Sequence, residues 1–163
     1  MEKQVFKASI GEPFWQSARA KIDLKKELKH LYNPSPKEVV IVEVPKMNFL
    51  MIDGLGDPNT SQDYKDAVEA LFSLSYSLKF MIKQTKTVDY AVMPLEGLWW
   101  VDDMSKFSVE NKDAWKWTSM IMQPEQVTED YVAKALEELK KKKKCPPSQK
   151  FGSKAFMRAN RLR

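Results

Sequence analysis

NFLMIDGLGDPNTSQDYKDAVEALFSLSYSLKFMIK, residues 48–83, carries a strand, a turn and a helix in succession, and its reading settles the fold class. Asn48 to Asp53 is a mostly apolar run of strand-forming side chains, closed by Gly54 and Gly56. Asp57-Pro58-Asn59 then makes a turn. Thr60 or Ser61 supplies the capping oxygen of a helix, and Asp63 complements the positive end of its dipole. Tyr64, Ala67, Val68, Leu71, Phe72, Leu74, Leu78, Met81 and Ile82 recur at helical spacing on one broad face. Lys79 and Lys83 lie near the carboxyl end, where positive charge is favoured.

Upstream, residues 39–44 are β-branched and almost wholly apolar, which predicts a strand that Pro45 interrupts at an edge or bend. Residues 21–31 predict a weakly amphipathic helix with Ile22, Leu24, Leu28 and Leu31 among many charges, ended by Asn33-Pro34-Ser35-Pro36. It is too polar to nucleate a core and suits a lid or an arm. Downstream, residues 88–93 predict a strand, Leu95-Glu96-Gly97 a turn or bulge, and residues 98–101 another strand. A polar loop over residues 102–113 leads to a strand over residues 114–122. Thr128 begins a second helix running to about Lys143. The order is strand, helix, strands, helix. It predicts an α+β fold, with an antiparallel sheet and helices on one face.

Composition narrows the function classes. The 163 residues suffice for one hydrophobic core. The single cysteine, Cys145, excludes an internal disulfide framework, and the single histidine, His30, excludes a His-rich metal centre. No apolar run approaches the roughly 20 residues that span a bilayer. No signal-peptide pattern occupies the first 20 residues, so the expected address is the cytoplasm. No cofactor or metal motif is complete. Asp53-Gly54-Leu55-Gly56 lacks the glycines of a nucleotide loop, and Asp102-Asp103 lacks further ligands. The net charge of +5 conceals two parts. Residues 140–163 carry ten of the 27 basic residues and no acidic one, leaving 17 basic against all 22 acidic residues in 1–139. The reading is an N-terminal extension over 1–20, a domain over 21–144 and a basic, flexible tail over 145–163. The tail would attract nucleic acid only weakly.

The densest chemical feature is aromatic. Trp99, Trp100, Trp115 and Trp117 fall within 19 residues, with Tyr90 and Phe107 close by. Side chains at i and i+2 of a strand share a face. Trp115 and Trp117 therefore point one way, while Trp99 and Trp100 point to opposite faces. The rings serve either as core and interface filler or as the wall of a pocket for a planar, apolar or cationic molecule. Glu96 is the carboxylate nearest the paired tryptophans. It is either a solvated turn residue or, if the rings desolvate it, an acid–base group or a partner for a ligand cation.

KIDLKKELKHLY (21–32), VPKMNFLMIDGLGDPNTS (44–61), VEALFSLSYSLKFMIK (68–83), DYAVMPLEGLWW (89–100) and WKWTSMIMQPEQVT (115–128) together resemble the GyrI-like small-molecule-binding family. The likeness is to its cyclopropanoid cyclopropyl hydrolase subfamily and covers roughly residues 21–147. The resemblance implies a tandem pair of strand-helix-strand-strand modules with a ligand pocket between them. It further implies binding of amphipathic or cationic drug-like molecules, or hydrolytic opening of cyclopropane-bearing DNA alkylators in an aromatic cage. By this resemblance Glu96, Trp99 and Trp100 become pocket residues, with Tyr90 and Trp117 flanking them and Tyr76 on the helix facing the cleft. Glu96 is the candidate catalytic group. Only the first module is matched, which would leave a half-sheet exposed; a homodimer could restore the missing surface, and the alternative is a protein-interaction or regulatory module that uses that face.

Overall fold

The computed structural model describes residues 20–86, 88–142 and 156–159. In chain order the elements are β1 (Ala20–Ile22), α1 (Leu24–Glu27), α2 (Lys29–Tyr32), β2 (Met47–Leu55), α3 (Gln62–Thr85), β3 (Val88–Tyr90), β4 (Leu95–Trp100), β5 (Lys116–Gln123), α4 (Glu129–Lys141) and β6 (Phe156–Ala159). The fold is α+β. A four-stranded antiparallel sheet has the order β4-β5-β2-β6, and β1 and β3 form a separate parallel pair.

The 48–83 stretch folds as its pattern requires. Ser61 caps α3, its hydroxyl accepting from the Tyr64 amide at 3.2 Å, an interaction usually worth about 1 kcal/mol. The buried stripe of α3 comprises Ala67, Ala70, Leu71, Leu74, Ser75, Leu78 and Ile82. Each leucine sealed there removes enough apolar surface from water to stabilise the fold by about 1.5–3 kcal/mol. Val132, Ala135 and Leu139 of α4 extend the same core.

Register shows which side of the sheet the helices cover. Gln123 of β5 reaches Ser75 of α3 with its side-chain amide, Nε2 to Oγ, at 3.2 Å. Gln123, Ile121, Ser119 and Trp117 alternate along that face. Their partners Asn48, Leu50, Ile52 and Gly54 of β2 share it, as do Leu95, Gly97 and Trp99 of β4. The opposite face carries Phe49, Met51, Asp53, Thr118, Met120, Met122, Glu96, Leu98 and Trp100.

Several expectations are corrected. Residues 39–44 are not a strand: they join no ladder among the described residues, and β2 begins only at Met47, beyond Pro45. Val39 and Ile41 of this run are almost fully exposed. Leu95-Glu96-Gly97 is no turn but the start of β4, paired with Ile121, Met120 and Ser119. Gly97 leaves room there for the Trp99 ring, since a Cβ would lie 3.0 Å from its Nε1. The strand expected over 88–93 stops at Tyr90. The predicted helix over 21–31 is a short strand and two single helical turns, broken at Leu28. Residues 156–159, expected within a flexible tail, pair antiparallel with Met47 to Leu50 along the edge of β2 that β5 leaves free. Four residues are too few to declare a period. The rest of that tail and residues 1–19 lie outside the described residues.

Residues 23–46 form an arm fixed at both ends. One end is β1, paired with β3, which in turn is bound to α3 through Asp89. Lys83 reaches that carboxylate at 2.7 Å and Lys79 at 3.5 Å. The Lys83 hydrogen bond, aided by Lys79, holds the Asp89 carboxyl below the usual range. The other end is β2. Along the arm Leu24, Leu28 and Tyr32 pack on the core from the sheet side opposite the helices.

Candidate functional site

Tyr32, the last residue of α2, reaches across from the arm and donates its hydroxyl to Glu96 Oε1 at 2.8 Å. The two residues lie 64 positions apart in sequence. Both line a cavity of about 380 Å³ between arm and sheet, with Val40, Val42 and Val44 along one wall and Met47 at the base. Val44 is half-buried, and Val40 and Val42 are less exposed than Val39 and Ile41, which stand almost wholly in solvent. His30 and Glu38 also border it. A second cavity of about 480 Å³ adjoins it along the arm and shares His30, Pro34, Ser35, Val40 and Val42 with the first.

The electrostatics follow from partial burial. Desolvation raises the Glu96 pKa above its ordinary value, and the Tyr32 hydrogen bond acts in the opposite sense by favouring the carboxylate. The Tyr32 phenol is pushed well up by burial, then by its bond to Glu96 and the Glu96 charge. It therefore stays protonated, and a donor, across the neutral range. Among the described residues no lysine or arginine lines this cavity, so it offers a ligand one hydrogen-bonded carboxylate, a second carboxylate and an aliphatic wall.

The expected site residues divide into three groups. Glu96 and Trp100 share the sheet face under the arm, but Trp100 lies one side-chain position beyond Leu98 and does not line the Glu96 cavity. Trp99 and Trp117 occupy the helix side. There Tyr64 meets Trp117 edge-on at 5.1 Å and Trp99 at 5.6 Å. Trp99 meets Trp115 at 5.8 Å, and Phe107 stacks on Trp115 at 4.7 Å. The Trp115 indole donates to the Ser108 carbonyl at 2.9 Å, which anchors the loop before β5. This aromatic cluster packs ring on ring, and none of its members lines either arm cavity. Tyr90 is buried in the core, its phenol pushed well up by burial and then by the Asp89 charge. Tyr76 stands exposed on α3, away from both faces of the sheet.

A larger groove of about 670 Å³ opens at the end of the sheet, between Leu24 and Leu28 of the arm and Met122 to Gln126. It has no aromatic wall, and its two carboxylates, Glu27 and Glu125, are exposed. The Glu96 cavity is smaller but combines a partly desolvated acid with a fixed donor. That combination makes it the chemical centre of the described residues. Sequence reasoning found Glu96 but missed Tyr32, because a contact across 64 residues leaves no local pattern.

Among the described residues, no cluster of His, Cys, Asp or Glu is arranged to hold a metal ion. No described helix is long and apolar enough to cross a membrane. No protein-family model matches the chain, and no curated protein does. Solved structures from Listeria innocua are similar. One, an uncharacterized conserved protein, is 40% identical with a TM-score of 0.71, over 85% of this chain and 66% of its own. A second, a hydrolase encoded by lin2189, is 41% identical with a TM-score of 0.70 over the same shares. A third, also described as a hydrolase, is 39% identical with a TM-score of 0.67, over 85% of this chain and 65% of its own. The chain thus shares its fold and about two-fifths of its aligned residues with these Listeria proteins, and spans just under two-thirds of their length.

Proposed function

We propose that this chain is a GyrI-like small-molecule-binding protein of the cytoplasm that takes an amphipathic, apolar or cationic compound into the cavity beneath the arm. The observation that carries this reading is the Glu96–Tyr32 pair set against the aliphatic wall of Val40, Val42 and Val44. An apolar body removes the valines from water, and a cationic end meets a carboxylate whose burial strengthens the attraction. Trp100 widens the same sheet face for a planar group, while Trp99 and Trp117 hold the strands that carry it.

The test uses benzyltrimethylammonium and its uncharged isostere neopentylbenzene. Chemical shifts of Glu96, Val40 and Val42 should move on adding the cation, with an affinity at least about tenfold above that of the isostere, as expected for a charge-assisted contact. Equal affinities, or shifts confined to α3, would reject the site.

A second reading, hydrolysis, draws support from the two Listeria structures described as hydrolases. In it Glu96 orients or deprotonates the attacking water. The substrate class is a cyclopropane-bearing alkylating compound.

We also propose that the chain works as a homodimer. Val39 and Ile41 expose β-branched side chains on a run without a ladder partner among the described residues, and such runs seek another surface. A second copy related by a twofold axis supplies it. Sedimentation of the full chain at tens of micromolar should give a dimer, and Ile41→Lys should return it to monomer. A monomer for the unmodified chain rejects the pairing.

A further inference from the structure

Resting on the reading of Glu96 as the ligand-facing acid, we propose that Tyr32 is its positioning residue: the arm-borne phenol fixes Oε1 and leaves Oε2 as the oxygen presented to a ligand. Three observations on separate parts of the chain meet here. Tyr32 donates to Oε1 at 2.8 Å. Among the described residues no hydrogen bond is made to Oε2, although Glu96 lines the cavity. Tyr32 itself ends a single helical turn whose C-cap is Asn33, so the backbone that carries the ring belongs to the arm and not to the sheet.

This arrangement does two things that a lone carboxylate on β4 would not do. It selects one orientation of the carboxylate, since a carboxylate with one bound oxygen cannot turn freely. It also ties the ionisation of Glu96 to the docking of the arm. A phenol donating to the anion offsets part of the burial cost, so lifting the arm removes a stabilising partner from the charge. The docked arm thus acts on Glu96 in two opposed senses: its burial of the carboxyl raises the pKa and is the larger, while its phenol offsets part of that rise. The other ionisable groups facing the cavity are His30 and Glu38, both on the arm. From the sheet, Asp53 and Lys116 lie on the same face but farther along β2 and β5. Glu38 opposes the Glu96 charge and cannot substitute for Tyr32.

Tyr32→Phe in the full chain tests the idea without a ligand. Carbon-13 titration of the Glu96 carboxyl should show a higher midpoint in Tyr32→Phe than in the unmodified protein, with the Trp117 indole resonance unchanged as evidence of an intact core. An unchanged or lower midpoint overturns the proposal. Tyr32→Leu removes the burying ring as well as the hydroxyl, so its midpoint should lie below that of Tyr32→Phe. Benzyltrimethylammonium then separates the two levels of the argument. At the midpoint pH of the unmodified protein, Tyr32→Phe should bind it about two- to fivefold more weakly, with the difference closing at high pH where both carboxylates are ionised. A deficit independent of pH also overturns the proposal, since it marks lost packing. If the cation binds neither protein but the midpoint still rises, Tyr32 positions Glu96 and the binding reading alone fails.

Discussion

Gly54→Ala should destabilise the protein by about 2–4 kcal/mol, read as a lower urea midpoint with an unchanged slope. Gly54 lies in β2 directly opposite Trp117 of β5. A Cβ built at Gly54 would fall on the six-membered ring of Trp117. That indole is 1% exposed and wedged edge-on against Tyr64, so it has nowhere to retreat. Accommodating one methyl requires the ring to leave its rotamer or β2 to part from β5, and both disturb the helix-side core. Gly97→Ala provides the contrast. Its new Cβ would approach the Trp99 ring at about 3.0–3.2 Å, but that ring is only part-buried and can yield. Its expected cost is about 1 kcal/mol or less. In a double-mutant cycle, Trp117→Leu should recover part of the Gly54→Ala loss, because the smaller side chain vacates the contested space. A Gly54→Ala protein that melts with the wild type would sink this account of the β2–β5 contact.

Glu96→Gln should reduce benzyltrimethylammonium affinity about 10- to 100-fold while leaving the fold intact. Glutamine keeps the shape and still offers an oxygen to the Tyr32 hydroxyl, so the arm contact survives. What disappears is the charge. If the protein is a hydrolase, the same substitution should lower kcat by at least about 100-fold, because an amide cannot accept the proton of the attacking water. Stability gives a separate check with a definite sign. Burial raises the Glu96 pKa above the ordinary 4.5, so the native state holds this proton more tightly than the unfolded chain. The wild type must then lose stability as pH rises from the ordinary value through the raised one. Glu96→Gln removes that contribution, so the difference between the two proteins should shift in favour of the variant across this window. Parallel stability curves would deny the desolvation on which the reactivity of Glu96 depends.

How much of this was legible in the sequence depends on the range of each interaction. The face of α3 could be read directly, because it is a local periodicity that burial then obeys; β2 and β5 were legible as apolar runs, and most of their residues are buried on both faces. Alternation separated Trp99 from Trp100. It could not show that Trp99 and Trp117 face the helices, since that depends on which face α3 covers. Residues 39–44 illustrate the limit of propensity. Val, Val, Ile and Val favour a strand, but a strand needs a partner, and this run joins no ladder among the described residues. Pro94 and Gly97 suggested a turn around Glu96. Instead, Pro94 precedes the ladder and Gly97 marks a close approach by Trp99. Tyr32 had no local signal because its meaning depends on a side chain 64 residues away. Tyr76 and Tyr90 were grouped with the site by resemblance, and their surroundings place one in solvent and the other in the core.

The double anchorage of the arm has a kinetic consequence. A segment held by β1–β3 at one end and by β2 at the other cannot swing away like a free terminus; it can only bow outward. Its excursions are bounded by the span between the anchors, and each one breaks the Tyr32 contact before a molecule can pass. For the ligand proposed above, exchange at the cavity would be gated by loop fluctuation, with association slower than free diffusion and with residence time set by how often the loop reopens.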